Sequence, residues 1–265
     1  MRYTLEKECF GDAKKQAIFL VPGWAMPKEC LRPMAQKLSE NYYVVLINLP
    51  GVSLSSELID SKLIGPNYDI DALSEQLITA APEEAFWVGW SLGGMIATYV
   101  AARRSSKVKG LITIASTPAF VQKDGWDVAM PNSVYDEFSK LVATDPKAGL
   151  KRFVALQTAG AENASELRQQ LSNWVNEKTS NPIALSGGLR LLKSLDVRRE
   201  LEILDVPSLH VFGANDELVD STWLKYINNE LYPLNSVVLD GMSHQPFMEN
   251  LTDFIPHITQ FINGH

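Results

Sequence analysis

The stretch that most constrains the fold is residues 85–102, A-F-W-V-G-W-S-L-G-G-M-I-A-T-Y-V-A-A. Residues 85–88 form a short apolar run suited to a buried strand, and residues 93–102 are small and apolar, as in a helix packed on a sheet. The turn between them therefore falls at G-W-S-L-G, with Ser91 at its apex. A β-carbon two positions to either side of the serine would collide with the neighbouring strand or helix, so the two glycines have a steric role.

The pattern G-x-S-x-G between a strand and a helix is typical of a nucleophile elbow. The start of the helix presents backbone N–H groups and the positive end of its dipole close to the serine hydroxyl, where a developing oxyanion would be held. A second strand, 17–21, ends at Pro22-Gly23-Trp24-Ala25. If this loop lies beside the elbow, the backbone N–H of Trp24 is a candidate second donor to the oxyanion.

Strands and helices alternate along the first part of the chain. Alternation of this kind predicts an α/β fold with a mainly parallel sheet and helices on both faces. It resumes after Pro207. The predicted strands are 17–21, 42–49, 85–88, 108–115, 208–213 and 236–239, and the predicted helices outside the central region are 30–38, 70–81, 93–102, 223–231 and 247–262.

From about Phe120 to Ser194 the pattern is helical, without an intervening strand signal. Thr144-Asp145-Pro146 is a good helix start, with a capping residue followed by proline, and residues 165–174 form another helix. We expect a helical cap at 120–194, inserted into a core formed by 1–119 and 195–265 and lying over the edge of the sheet where such folds bind ligands. Three aromatic residues of the insertion line an acyl channel or fill its core: Trp126, Phe153 and Trp174.

Composition excludes several classes of function. The 265 residues carry a net charge of −7 and no basic block, which argues against a nucleic-acid partner. No apolar signal core or membrane-spanning run is present, so we expect no membrane association and a cytoplasmic location. Neither metal-ligand spacing nor a dinucleotide glycine fingerprint appears, so no metal or cofactor is expected. We expect a monomer and assign no role to Cys9 and Cys30, which are expected to be free thiols.

A serine nucleophile needs an imidazole to accept its proton and a carboxylate to orient that imidazole. Of four histidines, His244 alone lies on a loop after the last predicted strand. His210 lies within a strand, His257 in the last helix, and His265 is the final residue. Elimination therefore selects His244 as the base.

The orienting acid is expected at the end of the preceding strand. Asp216, in G-A-N-D-E-L-V, occupies that place and gives the chain order serine, aspartate, histidine. Asp220 is the reserve candidate, although its position favours a capping role for the helix that follows. Asp240 is too close in sequence to His244 to reach its far nitrogen easily.

Over essentially its whole length the sequence resembles an α/β-hydrolase. More narrowly, it resembles the pimeloyl-(acyl-carrier protein) methyl ester esterases of biotin biosynthesis, which are cytoplasmic carboxylesterases. This resemblance rests on G-W-S-L-G-G at 89–94, R-F-V-A-L-Q-T at 152–158, S-G-G-L-R-L-L-K-S-L-D at 186–196, V-P-S-L-H-V-F-G at 206–213 and D-E-L-V at 216–219.

The resemblance implies a role for each matching residue. Ser91 would be the nucleophile, Asp216 the acid and His244 the base, while the N–H groups of Trp24 and Leu92 would hold the oxyanion. Phe153 to Gln157 would line the acyl pocket. A broad-specificity short-chain carboxylesterase, or a hydrolase-fold receptor that binds a small ligand with little turnover, would share most of these features.

Two departures from the family pattern stand out. Pro22 replaces the histidine that usually precedes Gly-Trp in the first loop. The family uses cap arginines to hold an acidic acyl carrier protein, and only Arg152 matches one of them, while Ser165 and Gln169 occupy two other positions. Substitute cations are available: Lys147, Lys151 and Arg168, the first two one helical turn apart. The alternative is that these are ordinary solvated helix charges.

Overall fold

A computed structural model describes residues 5–52, 68–103, 105–175 and 180–265. Its centre is a seven-stranded sheet in the order β1-β3-β2-β4-β5-β6-β7, in which only β1 is antiparallel to its neighbour. The strands are β1 (Lys7–Phe10), β2 (Ala17–Val21), β3 (Tyr43–Ile47), β4 (Ala85–Trp90), β5 (Val108–Ile114), β6 (Ser208–Gly213) and β7 (Asn235–Leu239).

The apolar runs form the middle of the sheet because both of their faces are covered. Every residue of β2, β4 and β6 is buried. Continuous apolar strands of this kind are characteristic of a parallel sheet between two helical layers. The helices are α1 (Arg32–Leu38), α2 (Ile70–Ala80), α3 (Leu92–Arg103), α4 (Asn132–Thr144), α5 (Pro146–Gln157), α6 (Ala164–Trp174), α7 (Pro182–Ser194), α8 (Arg198–Glu202), α9 (Pro246–Glu249) and α10 (Leu251–Gly264).

The helices outside the central region form two packed groups. Helices α1, α9 and α10 contact one another, and α3 contacts both α2 and α8. Phe86 and Trp90 of β4 point to the first group, where their rings meet those of Phe261 and Phe247. The sequence-based prediction of an α/β fold with a mainly parallel sheet is confirmed.

Among the described residues, helices α4 to α7 lie between β5 and the short helix α8, within the stretch where the sequence predicts a helical insertion. Asp145 accepts a hydrogen bond from the N–H of Ala148 and thereby caps α5, as expected of Thr-Asp-Pro. The division into a core and a cap at residues 120–194 stays a prediction. Parts of it lie outside the described residues: 1–4, 53–67 and 104 of the core and 176–179 of the cap.

The predicted helix at 223–231 is wrong. The chain forms a 3₁₀ helix at Ser221–Tyr226 and then leaves helical geometry. The buried side chain of Asn229 explains this, because its oxygen accepts the N–H groups of Leu231 and Tyr232 and its amide donates to Leu201 and Leu204 carbonyls. A side chain that takes over backbone hydrogen bonds in this way competes with a helix.

Other element boundaries also differ from the sequence prediction. The closing helix is not continuous over 247–262, because Asn250 ends α9 and its side chain caps α10 through the N–H of Asp253. The helix predicted at 30–38 begins at Arg32, after a 3₁₀ turn at Lys28–Leu31. Strand β1 is an addition that the sequence pattern did not predict.

Both cysteines are free thiols, Cys9 exposed and Cys30 buried. Within the described ranges, no group of three or more histidine, cysteine, aspartate or glutamate side chains has a metal-binding arrangement. None of the helices in these ranges is both long and apolar enough to cross a bilayer.

Candidate active site

Ser91 lies in a strained turn between β4 and α3. Its φ of +54° is in the left-handed region, which a serine adopts only when its surroundings impose it. The two glycines of the motif remove the side chains that would block this turn. A β-carbon at Gly89 would lie 2.4 Å from the carbonyl oxygen of Gly93, and one at Gly93 would lie 2.4 Å from the carbonyl oxygen of Val21.

The predicted acid and base are hydrogen-bonded to each other. Nδ1 of His244 lies 2.8 Å from Oδ2 of Asp216, and the two side chains are 1% and 0% exposed. The other carboxylate oxygen of Asp216 accepts the backbone N–H groups of Leu218 and Val219 at 2.8 and 3.1 Å. These two bonds fix the carboxylate, which in turn holds the imidazole ring of His244 in its orientation.

Trp90, the residue before the serine, connects the elbow to the histidine. Its indole Nε1 donates to the carbonyl oxygen of His244 at 2.9 Å, and the two rings are 5.9 Å apart. The Nε2 atom of His244 is buried and has no hydrogen-bond partner among the described residues. It is therefore free to accept a proton, although it makes no hydrogen bond to the Ser91 hydroxyl in this structure. In unliganded enzymes such bonds are often loose.

Two backbone N–H groups, those of Leu92 and Trp24, are the predicted oxyanion donors. Leu92 is the first residue of α3, where an N–H group has no acceptor within the helix. The loop that carries Trp24 approaches from β2, because a β-carbon at Gly23 would lie 3.3 Å from that of Ser91. In the described parts of the chain, neither the Leu92 nor the Trp24 backbone N–H donates a hydrogen bond. Both are therefore available to an oxyanion.

The side chain of Trp24 is fixed by the inserted helices. Its Nε1 donates to the carbonyl oxygen of Leu185 in α7 at 2.9 Å, and its ring meets that of Phe153 edge-on at 4.7 Å. A β-carbon at Gly188 would lie 2.4 Å from Cδ1 of Trp24. The second glycine of S-G-G-L therefore allows α7 to lie directly on this tryptophan.

Ser91 lines a narrow crevice, and a larger cavity of about 620 Å³ lies next to it. Phe120, Leu192 and Val219 line both spaces, so the crevice and the cavity adjoin. The wall of the cavity is mainly apolar and includes Met130, Val134, Phe138, Phe153 and Leu156. A cavity of this size and lining suits an apolar ligand.

The residues predicted to line an acyl channel are only partly brought together. Phe153 lines the cavity, whereas Trp126 contacts Arg198 and Tyr226 in a separate surface groove and Trp174 lines neither space. Gln157 does not line the cavity. It is fully buried, and neither polar atom of its side chain has a hydrogen-bond partner among the described residues.

The candidate carrier contacts lie on α5 and α6 and are exposed. Lys147, Lys151 and Arg152 belong to α5, and none of them forms an ion pair with a described residue. Arg152 also lines the large cavity. Arg168 of α6 is 3.5 Å from the hydroxyl of Thr158. The structure therefore brings three of the four cations together on one helix beside the cavity.

The rejected candidates occupy other places. His210 is buried in β6, with its Nδ1 2.7 Å from the Thr113 hydroxyl, and burial lowers its pKa to about 3. Asp220 accepts the N–H of Thr222 and caps the 3₁₀ helix, as its position suggested. Sequence reasoning missed the contribution of Trp90, since no periodicity indicates a bond between residues 154 positions apart.

Comparisons with known proteins identify the family of the chain. Residues 16–251 match the model of the alpha/beta hydrolase fold family. A pimeloyl-(acyl-carrier protein) methyl ester esterase of Aeromonas salmonicida is 33% identical, over 98% of this chain and 99% of that protein. The protein of the same name from Vibrio cholerae is 32% identical over 93% of this chain and 94% of its own length.

Solved structures share the fold at low sequence identity. An esterase from Exiguobacterium antarcticum superposes with a TM-score of 0.82 at 19% identity, covering 98% of this chain and 95% of that one. The enol-lactonase of Burkholderia xenovorans superposes with a TM-score of 0.79 at 16% identity, covering 98% and 96%. At these identities the likeness concerns the fold alone.

Proposed function

The chain belongs to the α/β-hydrolase family and, within it, to the pimeloyl-(acyl-carrier protein) methyl ester esterases, so it is a carboxylic ester hydrolase; from this premise we propose that it works through a Ser91, His244 and Asp216 triad. The observation that carries the proposal is the buried Asp216–His244 hydrogen bond, whose histidine also accepts a hydrogen bond from Trp90, the residue preceding Ser91.

In the proposed mechanism, the ester carbonyl lies between Ser91 and the N–H groups of Leu92 and Trp24. Nε2 of His244 takes the Ser91 proton as Oγ attacks the carbonyl carbon, and the two N–H groups stabilise the oxyanion. The alcohol leaves with that proton, which gives an acyl-enzyme. Water then attacks the acyl carbon and gives its proton to His244, and the carboxylic acid is released as Ser91 recovers its proton.

We further propose that the substrate is a methyl ester of a pimeloyl chain carried on acyl carrier protein, in biotin biosynthesis. Relatives of that name at 32 to 34% identity support this proposal. The apolar cavity beside Ser91 suits the acyl chain. Arg152, which lines this cavity, and Lys147 and Lys151 of the same helix offer positive charge to an acidic carrier. A cytoplasmic, monomeric enzyme remains the expectation.

The nucleophile is tested with Ser91→Ala on a short-chain nitrophenyl ester. Loss of the serine of a triad lowers kcat by about a million-fold. Ser172→Ala, which changes an exposed serine of α6, is the control and should retain full activity. Measurable turnover by Ser91→Ala would place the nucleophile elsewhere.

The substrate is tested by comparing the same pimeloyl methyl ester free and linked to acyl carrier protein. The combined change of Lys147 and Lys151 to alanine should raise KM for the linked ester several-fold more than for the free ester, because only the carrier presents acidic groups to α5. A matched variant changes Lys7 and Lys14, outside the cap. Equal kinetics for free and linked esters would indicate a broad-specificity carboxylesterase instead.

A further inference from the structure

Ser243, the residue before His244, is bound by a carboxylate that the triad does not include. Oε1 and Oε2 of Glu249 lie 2.8 and 3.0 Å from the backbone N of Ser243, and Oε1 lies 2.7 Å from its hydroxyl oxygen. Ser243 is fully buried. Both of its donors are therefore satisfied by one side chain, six residues further along the chain.

The short helix α9 brings Glu249 back to this loop. Its single turn is closed by the N–H groups of Met248 and Glu249, which donate to the carbonyl oxygen of Gln245. Proline at its first position favours that turn. The α9 turn holds Gln245 and the Glu249 carboxylate holds Ser243, so both chain neighbours of His244 are fixed.

The Ser243 hydroxyl has a second acceptor, but it can donate only one hydrogen. The carbonyl oxygen of Gln157 is 3.3 Å away, compared with 2.7 Å for Glu249. The shorter contact, to an ionised group, is the stronger bond. The hydroxyl is therefore committed to Glu249, and the loop that carries the histidine is held mainly from α9.

Glu249 also lies in the electrostatic field of the acid. Burial raises the pKa of its carboxyl, the Ser243 hydrogen bonds act against that rise, and the negative charge of Asp216 adds to it. A second carboxylate close to Asp216 is unfavourable unless its hydrogen bonds offset the burial and the repulsion between the two negative charges. The Ser243 donors provide that compensation.

We propose that Glu249 is a positioning residue for the reaction: it fixes the backbone on the N-terminal side of His244, so that Nδ1 stays on Asp216 while Nε2 remains directed to the Ser91 side. On the other side, Trp90 fixes the His244 carbonyl oxygen. The inference rests on the proposed function, since it concerns the base of that triad.

The test compares Glu249→Gln and Glu249→Ala with Asp240→Asn, using the full chain. Asp240 is an exposed carboxylate of the same loop, without an ion pair or side-chain hydrogen bond to a described residue, and serves as the matched control. We measure kcat and KM on a short-chain nitrophenyl ester, the rate at which a fluorophosphonate labels Ser91, and thermal unfolding.

Removal of Glu249 is expected to lower kcat and to leave KM nearly unchanged. A misplaced catalytic group costs up to about 100-fold in rate, and we expect about that loss for Glu249→Ala. Glu249→Gln should lower kcat about tenfold, because the amide oxygen still accepts a hydrogen bond while the NH₂ group cannot. A factor of about 10 is the effect of losing one hydrogen bond to a charged group. Labelling of Ser91 should slow by the same factors.

The outcomes separate this inference from the proposed function. If Glu249→Gln folds and retains the kcat and labelling rate of the Asp240→Asn control, Glu249 has no positioning role, and the triad is unaffected. A loss that appears as a higher KM, or only as a lower unfolding temperature, also overturns the inference. If the unchanged protein is not labelled at Ser91, the proposed function itself fails.

Discussion

The two halves of the active site are held in place by opposite means. The elbow depends on missing side chains, since Gly89 and Gly93 each face backbone atoms 2.4 Å from where a β-carbon would be. The loop of His244 depends on polar side chains, with Glu249 on one side and Trp90 on the other. Close packing leaves no tolerance for added atoms, whereas a hydrogen-bonded loop can be loosened by degrees. Substitutions in the elbow should therefore cause an abrupt loss of structure and activity, whereas substitutions in the histidine loop should cause a graded loss.

The largest effect is expected on the elbow side, from Gly93→Ala. The added methyl group would meet the carbonyl oxygens of Val21 and Pro22, which are main-chain atoms of the adjacent strand and loop. Overpacking of this kind costs about 3 kcal/mol of unfolding free energy, and esterase activity should disappear with the strained turn. Urea denaturation and ester hydrolysis measure the two effects.

Gly264→Ala is the control for that change, because no atom lies within 4 Å of its β-carbon position. If Gly93→Ala retained both stability and activity, the elbow would be adaptable, and the contrast with the histidine loop would fail.

A smaller and purely catalytic effect is expected where the two sides meet. Trp90→Phe keeps an aromatic ring but removes the N–H that donates to His244, so kcat should fall about tenfold, which corresponds to about 1.4 kcal/mol. Trp126→Phe removes a similar buried indole bond, which goes to the Ala119 carbonyl and not to His244. It should lose comparable stability without loss of kcat. Equal kcat values for both variants would contradict the proposed link.

The smallest effect concerns pH and belongs to the elbow side. His210 packs against Trp223, whose indole donates to the Ser116 carbonyl, and the Ser116 hydroxyl donates to the Ser91 carbonyl. Burial lowers the pKa of His210 to about 3. A lowered pKa gives stability that is present above the unfolded value of about 6.5 and is lost as the pH falls towards the folded value.

The unfolding free energy of the unchanged protein should therefore fall by about 1 kcal/mol between pH 6.5 and 5.5 on account of His210. His210→Leu should be less stable at pH 7, because Thr113 loses its partner, but should show a weaker pH dependence. His257→Gln, in α10, serves as the control. If His210→Leu keeps the full pH dependence, the charging of another group causes it.

Strands β2 to β7 and the triad candidates could be predicted from the sequence because each has a local signal. Buried strands are continuous apolar runs, the elbow has its glycines, and Asp216 and His244 follow strands in the expected order. The loop contacts had no such signal. The sequence predicts Glu249 as part of one closing helix, and only the break at Asn250 turns its carboxylate towards Ser243.

The wrong helix at 223–231 has a related cause. Residue propensities favour a helix there, but the buried side chain of Asn229 bonds to four backbone groups from two segments of the chain. The periodicity of apolar residues along the sequence gives no sign of such tertiary hydrogen bonds. Strand β1 was missed because it lies at the edge of the sheet, where its alternating polar residues remain partly exposed.

The contact between Gly188 and Trp24 has a consequence for engineering. The loop expected to hold the oxyanion and the helix α7 expected to belong to the cap share one van der Waals surface, which any side chain at position 188 would disrupt. A cap grafted from another hydrolase would therefore need a glycine at this point as well as a new pocket. Shuffled libraries that keep residue 188 fixed should yield more active hybrids than those that randomise it.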